Sequence, residues 1–361
     1  MPIYSSVSGT YKGIVKRMHN SLRPQNHMVI ECDFKQTKVQ SFAPLDWKSA
    51  TREACVDFVK NAGIVGLGGA GFPTYVKYMK PDGVDYVLIN AVECEPYITA
   101  DYRSVMDDAK DLVTGAKIMK KMAEAKTVYI CIKESHPDLI EKVKSVLTDA
   151  AGVEVRPVPD VYPMGWERVL VREVLHKEYG GLPAEAGAII GNASSAIAIA
   201  KAFEKGEAIT QKNLTVSGEC VKDPHNVCVP VGMPVSEIIE ACGGYTQDTV
   251  RLISGGPMMG KTIVNDMFVV DRAMNALTVL PAANDDAIAC LRCGKCSDHC
   301  PSGLQPVRIT AALKANDVDE MSKRGVMSCI ECGMCTYICP SHIDVTENVR
   351  KAKRIVMLKK K

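Results

Sequence analysis

The sequence is poor in aromatic residues and has no dominant charge. Aromatic side chains make up 6% of its 361 residues, with only two tryptophans, and 44 basic side chains nearly balance 42 acidic ones. A chain without a basic excess lacks the electrostatic attraction on which non-specific binding to nucleic acids and anionic membranes depends. Nucleic-acid binding is therefore not predicted.

The sequence also has little that would direct it out of the cell or into a bilayer. Its first residues contain no basic start followed by an apolar run, so no secretory signal is predicted. The most apolar stretch, residues 186–202, is interrupted by polar side chains and is too short to span a membrane. We expect an intracellular chain of two or three domains, with reduced thiols and no transmembrane segment of its own.

Cysteine, in contrast, is abundant, and eight of the 15 cysteines form two copies of one motif, C-x2-C-x2-C-x3-C-P. Three cysteines spaced in this way wrap one [4Fe–4S] cluster, whereas the fourth, just before proline, ligates the other cluster. The first predicted ligand set is Cys290, Cys293, Cys296 and Cys339. The second is Cys329, Cys332, Cys335 and Cys300. Gly294 and Gly333, at matching positions, are expected to let the two loops turn tightly.

Zinc is the rival metal, because it also binds four thiolates. Zinc sites usually pair two CxxC halves across a longer gap, so the spacing favours iron–sulfur clusters. His299 and His342 flank the motifs outside the ligand positions and are interpreted as surface residues. The other seven cysteines share no spacing, and small buried side chains are the default interpretation.

A second motif is a glycine-rich segment, residues 63–77, with five glycines within nine residues before Pro73. Such a backbone running into a helix N-terminus typically holds phosphate, and Lys77 could add a positive charge one turn into that helix. Part of the segment matches G-x-G-x-x-G, but a dinucleotide fingerprint needs a preceding strand. Here a helical stretch is predicted to begin at Pro44, with helical periodicity over residues 52–62. A phosphate-binding loop of another kind is favoured over a dinucleotide fingerprint or a flexible linker.

Polar residues follow the apolar run 85–90, which is typical of a buried strand. Asn90, Glu93 and Glu95 would lie at the carboxyl end of that strand, where α/β sheets bind ligands. Capping or solvated side chains are an equally supported interpretation of these three residues.

The remaining pattern predicts the architecture. Alternating strands and helices between residues 85 and 203 indicate a parallel α/β sheet. A hairpin, a helix and a strand between residues 214 and 254 indicate a compact mixed α/β unit. Residues 280–286 are predicted to be a linker, and the basic tail, residues 351–361, is favoured as a solvated helix end over a membrane anchor.

Several motifs together resemble RnfC, the C subunit of the Rnf-type electron transport complex, which couples ferredoxin and NAD to ion transport. They are GLGGAGFPT (66–74), NAVECEPYITAD (90–101), GGLPAE (180–185) and the two cysteine motifs. The first two also resemble the flavin subunit of respiratory complex I.

The resemblance implies an α/β multidomain chain with a complex I flavin-subunit-like α/β domain, a β-grasp (SLBB-type) domain and a two-[4Fe–4S] ferredoxin-like α-helical domain. The implied ranges are 44–210 for the FMN- and NADH-binding domain, 211–280 for the β-grasp domain and 285–361 for the ferredoxin domain. Residues 1–43 would be a partial lipoyl-like (barrel-sandwich-like) β segment. Either truncation or a separate polypeptide would account for the rest of that segment.

The resemblance also implies cofactor contacts. Residues on flavin-loop positions are Gly66, Gly68, Gly69, Gly71, Lys77, Asn90 and Asn192. Residues on positions lining the flavin or nicotinamide are Glu93, Glu95 and Glu167. Complex I has consecutive acidic residues where this chain has Trp166 and Glu167, and an Asp where it has Val92, so the contacts with NADH are expected to differ in detail.

The implied function is electron transfer between NADH, FMN and two [4Fe–4S] clusters, with no catalytic acid or base needed for hydride transfer. The expected partners are the other subunits of a membrane electron-transport complex and, indirectly, ferredoxin. The expected location is peripheral, on the cytoplasmic face of the membrane. The alternatives are a cobalamin reductase-like flavo-iron–sulfur protein and a non-catalytic electron-delivery module for another reductase, such as proline reductase.

Overall fold

The computed structural model describes residues 1–37, 39–148, 150–282 and 286–359. The chain divides into two compact units, residues 1–256 with 261–281, and residues 257–260 with 282–361. The first unit holds an N-terminal hairpin, a parallel-sheet domain and a mixed-sheet domain. The second unit is helical.

The N-terminal segment forms one antiparallel hairpin. Strand β1 (Gly9–Met18) pairs with β2 (Pro24–Cys32), and most side chains of both strands are exposed. Asn20, in the turn, donates a hydrogen bond of 2.8 Å to Asp271 of the mixed-sheet domain. The hairpin is therefore attached through its turn rather than through a shared apolar core.

The α/β domain contains a four-stranded parallel sheet in the order β5-β4-β3-β6. Its strands are β3 (Tyr86–Ala91), β4 (Thr127–Lys133), β5 (Val153–Val158) and β6 (Ala188–Asn192). Its helices are α1 (Arg52–Asn61), α2 (Ala100–Asp107), α3 (Ala109–Ala123), α4 (Pro137–Ser145), α5 (Glu167–Leu175) and α6 (Ala193–Lys205). The predicted parallel sheet is confirmed, and fully buried Val87, Leu88 and Ile89 place β3 at its centre.

Two local predictions in this domain differ from the structure. The first helix begins at Arg52 rather than near Pro44, because the Thr51 hydroxyl caps it by accepting the Ala54 amide at 3.2 Å. The glycine-rich segment leads into a five-residue 3₁₀ helix, Thr74–Tyr78, rather than a longer α-helix.

The mixed-sheet domain has the strand order β10-β9-β11-β7-β8. Its elements are β7 (Gln211–Ser217), β8 (His225–Pro230), α7 (Val235–Ala241), β9 (Val250–Ser254), β10 (Lys261–Ile263) and β11 (Ala276–Pro281). Leu280 was expected to start a linker, but it lies in β11 and pairs with Arg251 of β9. Residues 283–285 of the predicted linker lie outside the described residues.

The second unit is built from short helices. They are α8 (Lys295–Asp298), α9 (Pro306–Lys314), α10 (Val318–Lys323), α11 (Met334–Tyr337) and α12 (Val345–Lys359). Ile309, Met321, Val326 and Val349 form its small apolar core. The basic tail is helical as far as Lys359, and its last two lysines lie outside the described residues. Within the described ranges, no helix has the length and apolar character needed to traverse a bilayer.

Close packing of two helices generates the first testable prediction. Gly115 of α3 faces α6, and a Cβ at this position would lie 2.0 Å from the Ala196 carbonyl oxygen. Alanine favours a helix over glycine by about 1 kcal/mol, but the clash outweighs this gain. We expect Gly115→Ala to reduce the free energy of unfolding by roughly 1–3 kcal/mol, measured by chemical denaturation.

The control variant is Gly180→Ala, because the nearest atom to a Cβ there, a Glu185 carboxylate oxygen, is 3.9 Å away. Its stability should match that of the wild type. A Gly115→Ala protein as stable as the wild type would contradict the close approach of α3 and α6.

Candidate cofactor sites

The predicted flavin-site residues meet at the carboxyl edge of the parallel sheet. Strands β3 and β6 are neighbours, and Asn90 pairs with Asn192 in their register. Because both strands end at this edge, their last side chains and the loops that follow lie close together. The glycine-rich segment reaches the same place, where a Cβ at Gly68 would lie 3.1 Å from the Asn192 side chain.

The glycine-rich segment forms a closed loop with an open face. The Gly66 amide donates to the Phe72 carbonyl oxygen at 2.8 Å and closes the loop. Gly69 and Gly71 have φ of +123° and +61°, in the left-handed region that favours glycine. A Cβ at Gly69 would meet no atom of the described residues within 4 Å, so this backbone faces open space. A loop of this kind suits a bound anion such as a flavin phosphate.

The element that precedes the loop is helix α1, so the strand that a dinucleotide fingerprint requires is missing from residues 52–61. This agrees with the interpretation of the segment as a phosphate-binding loop of another kind.

Lys77 and Glu167 meet beside the end of β6. The Lys77 ammonium donates to the Ile190 carbonyl oxygen at 2.7 Å and lies 3.4 Å from a Glu167 carboxylate oxygen. Lys77 lies in the 3₁₀ helix, and Glu167 is the first residue of α5. Two segments distant in sequence therefore place opposite charges at one edge of the sheet.

Asn90 and Glu93 contact backbone groups of their own loops. The Asn90 amide donates to the Gly165 carbonyl oxygen at 2.6 Å, and its oxygen accepts the Val92 amide at 2.9 Å. The Glu93 carboxylate accepts the Asp101 amide, at 3.2 Å to each oxygen, at the start of α2. These contacts support the capping interpretation, and any contact with a cofactor stays a prediction.

Glu95 lies against another segment of the first unit. A Cβ at Gly256 would be 2.4 Å from a Glu95 carboxylate oxygen, so this glycine gives the carboxylate the space that it occupies. Glu95 therefore lies beside Gly256, two residues after the end of β9.

Asp101 connects the sheet edge to α6. It accepts hydrogen bonds of 2.7 Å from the Asn192 amide and from the Ser194 hydroxyl. Asn192 also caps α6, because its oxygen accepts the Ser195 amide at 3.4 Å. The Ser195 hydroxyl in turn accepts the Leu67 amide at 2.9 Å. This chain of contacts holds the glycine-rich loop against the N-terminus of α6.

Two buried ionisable groups share this region. Burial, together with the Asp101 carboxylate, raises the pKa of Glu93 to about 8. Burial also lowers the pKa of Lys212, against the nearby carboxylates of Asp101 and Glu93. The Lys212 ammonium donates to the Leu67 carbonyl oxygen at 3.0 Å. A lysine of the mixed-sheet domain is therefore in direct contact with the glycine-rich loop.

Sequence reasoning did not identify Asp101, Ser194, Ser195 and Lys212 as site residues. Asp101 belongs to a quoted motif, and its position eight residues after Glu93 is the one available signal. Lys212 is the second residue of β7, and a lysine there would ordinarily be placed in solvent, yet only 4% of it is exposed. No local pattern distinguishes Ser194, Ser195 and Lys212 from ordinary polar residues.

The second cysteine motif surrounds a cavity. Cys300, Cys329, Cys332 and Cys335 line it together, so the cysteine that precedes Pro301 joins the three cysteines of the other motif. Burial raises the pKa of Cys335 to about 11, and the neighbouring Cys329 adds to this effect. Four converging thiols are a donor set suited to a cationic metal centre. The geometry fits the predicted ligand set, and the ligation itself stays a prediction.

The two motifs share their local backbone. Gly294 and Gly333 have φ of +81° and +80°, and each precedes a four-residue helix. Arg292 and Glu331 both have positive φ, which turns their amides onto the sulfur atoms of Cys290 and Cys329 at 3.4 Å. Amides aimed at sulfur are the backbone environment that cluster thiolates require.

The remaining cysteines differ in exposure. Cys290 and Cys293 of the first motif are exposed, whereas Cys296 and Cys339 are partly buried. Outside the motifs, Cys55, Cys131, Cys220 and Cys242 are buried, as expected. Cys228 is exposed, and Cys32 and Cys94 are partly buried, so the default interpretation does not hold for these three.

Comparison with protein families identifies three domains along the chain. Residues 59–201 match the Nuo51 FMN-binding domain, residues 213–262 the SLBB domain and residues 282–340 the 4Fe-4S dicluster domain. The chain therefore contains an FMN-binding type of domain and a dicluster type of domain, as the resemblance implies.

Two curated relatives are similar over most of their length. The C subunit of the proton-translocating ferredoxin:NAD(+) oxidoreductase complex of Clostridium ljungdahlii is 35% identical, over 84% of this chain and 68% of the relative. The C subunit of the Na(+)-translocating complex of Acetobacterium woodii is 35% identical, over 100% of this chain and 83% of the relative.

Among solved structures, a chain of NAD+-reducing [NiFe]-hydrogenase in the H2-reduced state has a similar fold. The TM-score is 0.58 at 15% identity, and the match covers 90% of this chain and 66% of that chain, just under two thirds. At this identity the likeness concerns the fold alone.

The buried carboxyl group of Glu93 generates a prediction about pH. The folded chain keeps this proton up to about pH 8, whereas the ordinary value is 4.5. As the pH rises between these values, the unfolded chain releases the proton first, so the wild type loses stability. We expect Glu93→Gln to be as stable as the wild type near pH 4 and more stable at pH 8, by on the order of a few kcal/mol in denaturant titrations.

Glu185→Gln is the matched control with the opposite sign. Backbone amides of Gly181 and Leu182 lower the pKa of the Glu185 carboxyl, so its removal should reduce stability above pH 5. Equal stability of wild type and Glu93→Gln at all pH values would contradict the burial of this carboxyl group.

The cavity of the second motif predicts which cluster depends on Cys300. Anaerobic reconstitution of Cys300→Ser should yield about half the iron and sulfide of the wild type, because one of two clusters is lost. The surviving EPR signal should be the one that Cys290→Ser abolishes.

Cys228→Ser, which removes an exposed thiol outside both motifs, should retain both clusters. If Cys300→Ser and Cys290→Ser abolish the same EPR signal, the fourth ligand comes from within each motif and the crossed arrangement is wrong.

Proposed function

The chain belongs to the RnfC family, the C subunits of Rnf-type, ion-translocating ferredoxin:NAD oxidoreductase complexes, and we propose that it passes electrons between NADH, FMN and two [4Fe–4S] clusters. The observation that carries this proposal is the presence, in one chain, of an open glycine-rich loop at the carboxyl edge of a parallel sheet and of two repeated four-cysteine motifs.

The residues of the sheet edge are suited to hold FMN. We propose that Gly66, Gly68, Gly69 and Gly71 form the backbone cradle, with Lys77 supplying positive charge beside it. The open space over Gly69 and the ammonium group at the end of β6 support this arrangement. Asn90 and Asn192, paired in register, would border the ring system.

Acidic groups would line the nicotinamide side. Glu93, Glu95 and Glu167 lie on the loops that surround the same sheet edge, and Glu167 forms an ion pair with Lys77. Their role in this proposal is to orient the nicotinamide and ribose groups through hydrogen bonds, because hydride transfer to a flavin needs no protein acid or base.

The flavin supplies the chemistry that connects a two-electron donor to one-electron acceptors. The glycine-rich backbone would hold the phosphate end of this cofactor, and the Lys77 ammonium, which donates to the Ile190 carbonyl oxygen of β6, would supply positive charge beside it. Hydrogen bonds from the Leu67 amide to Ser195 and from Lys212 to the Leu67 carbonyl oxygen also hold the glycine-rich loop in place.

The proposed partners follow from the family. The relatives are named as subunits of multi-subunit, ion-translocating complexes, and we propose that this chain likewise docks on the other subunits at the cytoplasmic face of the membrane. Ferredoxin would then exchange electrons with it indirectly, through those subunits.

The proposal is tested by loading the full chain anaerobically with FMN, iron and sulfide, and adding NADH. Rapid bleaching of the flavin absorbance followed by reduction of the clusters is expected. Failure of NADH to reduce fully loaded protein would refute NADH turnover by this chain and leave an electron-delivery module.

The loop assignment is tested with Gly69→Ala. A side chain at φ +123° carries strain of about 1–3 kcal/mol, so the variant should bind FMN about tenfold more weakly or worse in a fluorescence titration. Gly83→Ala is the matched control, because Gly83 also has positive φ and open surroundings but lies outside the loop. Equal FMN affinities for wild type and Gly69→Ala would exclude this loop as the flavin site.

A further inference from the structure

The helices that follow the two cysteine motifs begin at equivalent positions, 39 residues apart in the sequence. Helix α9 begins at Pro306 and α12 at Val345, so the second helical residues, Val307 and Thr346, correspond. Each lies near the third cysteine of its own motif, Cys296 or Cys335. The two repeats therefore place different side chains at equivalent positions beside a predicted cluster ligand.

In the first repeat, the backbone reaches the sulfur. The hydrogen-bond partners of the Cys296 thiol are the Val307 backbone and the Ser297 side chain. Valine has no side-chain donor, so position 307 contributes through the peptide group alone.

In the second repeat, the corresponding amide is used elsewhere. The Thr346 amide donates to the Thr336 hydroxyl oxygen at 2.8 Å instead of to sulfur. The Thr346 hydroxyl then occupies the position beside sulfur, with its oxygen 3.3 Å from Cys335 Sγ. A side-chain hydroxyl replaces the backbone donor of the first repeat.

The direction of this hydrogen bond is fixed by the chemistry of the site. A cysteine that ligates iron has no proton on sulfur, so the Thr346 hydroxyl must be the donor. The Thr336 hydroxyl has one proton, for which Thr346 at 2.8 Å and Asp344 at 3.1 Å are alternative acceptors, and its oxygen already accepts the Thr346 amide. The Thr346 hydroxyl proton is therefore available to the sulfur. A hydroxyl that donates to an anionic sulfur forms one of the stronger classes of hydrogen bond.

Thr346 is also fixed in place. Only 5% of the residue is exposed, and it lines the cavity that Cys300, Cys329 and Cys335 surround. Asp344 caps the start of α12 by accepting the Glu347 amide at 3.1 Å, which holds the first turn of the helix against this cavity.

We propose that Thr346 is a positioning residue. Its hydroxyl stabilises the reduced form of the cluster bound by Cys335 and so raises the reduction potential of that cluster. One-electron reduction adds one negative charge to the cluster and its ligands, while no bond at Thr346 forms or breaks and its proton stays on oxygen. A hydrogen bond to sulfur is stronger in the more negative state, which shifts the equilibrium towards reduction. The inference rests on the cluster binding proposed above.

The experiment is a potentiometric EPR titration of the full chain with both clusters reconstituted, with iron and sulfide content measured first. Thr346→Val preserves the shape of the side chain and removes the hydroxyl. The potential of one cluster should become more negative, with a several-fold smaller reduced fraction at a given applied potential, while the other cluster is unchanged. Thr346→Ser, which keeps the hydroxyl, should restore the wild-type potential.

Thr310→Val is the matched control. It makes the same chemical change in α9 of the same unit, where the Thr310 hydroxyl has no hydrogen-bond partner among the described residues. It should leave both potentials unchanged. Thr346→Ala provides a second removal of the hydroxyl in case the added methyl group of valine reduces cluster retention.

The outcomes separate this inference from the function proposed above. Wild-type protein that fails to bind two clusters refutes the cluster assignment itself. Wild-type protein that binds both clusters, with unchanged potentials in Thr346→Val and Thr346→Ala, refutes the role of Thr346 alone. A shift of the same size in Thr346→Ser also contradicts the hydroxyl as its cause.

Discussion

An ammonium group that leaves water must find oxygen partners, and Lys212 finds them in a neighbouring domain. It extends from β7 of the mixed sheet and donates to Leu67 in the glycine-rich loop, close to the carboxylates of Asp101 and Glu93. An unpaired charge at such a depth would cost several kcal/mol, so the Leu67 carbonyl oxygen stabilises the contact between the two domains. The conformation of the candidate flavin loop is thus coupled to the packing of the mixed sheet.

The parallel register of β3 and β6 imposes the second constraint on this loop. It places Asn192 beside Asn90, and the loop packs closely against Asn192. A side chain at position 68 would press on the Asn192 side chain, with its Cβ only 3.1 Å away. Gly69 serves a different purpose, because its backbone angle rather than its surroundings demands glycine. The density of glycines in this segment therefore reflects two separate requirements, a close contact on one side and an open, strained turn on the other.

The sequence predicted those features that depend on local pattern, and missed those that depend on distant partners. Apolar runs such as residues 85–90 identify buried strands, and the cysteine spacing identifies the cluster motifs, because both signals lie within a few residues. Lys212 gave no signal, since an alternating strand with one lysine is ordinarily half exposed. Leu280 was misplaced for the same reason, because only its pairing with Arg251 across the sheet makes it part of a strand.

The two cysteine motifs show how one backbone can create two different chemical environments. Positive φ at Arg292 and Glu331 gives both loops the same amide contact with sulfur. Yet the ninth residues of the following helices differ in surroundings: Lys314 of α9 is exposed, whereas Lys353 of α12 lies against the second motif. Lys353 contacts Glu331 at 3.0 Å and the Cys329 carbonyl oxygen at 2.8 Å. The repeat thus conserves what ligation requires, the turn and its amides, while the following helices determine the charge and hydrogen bonding around each set of sulfurs.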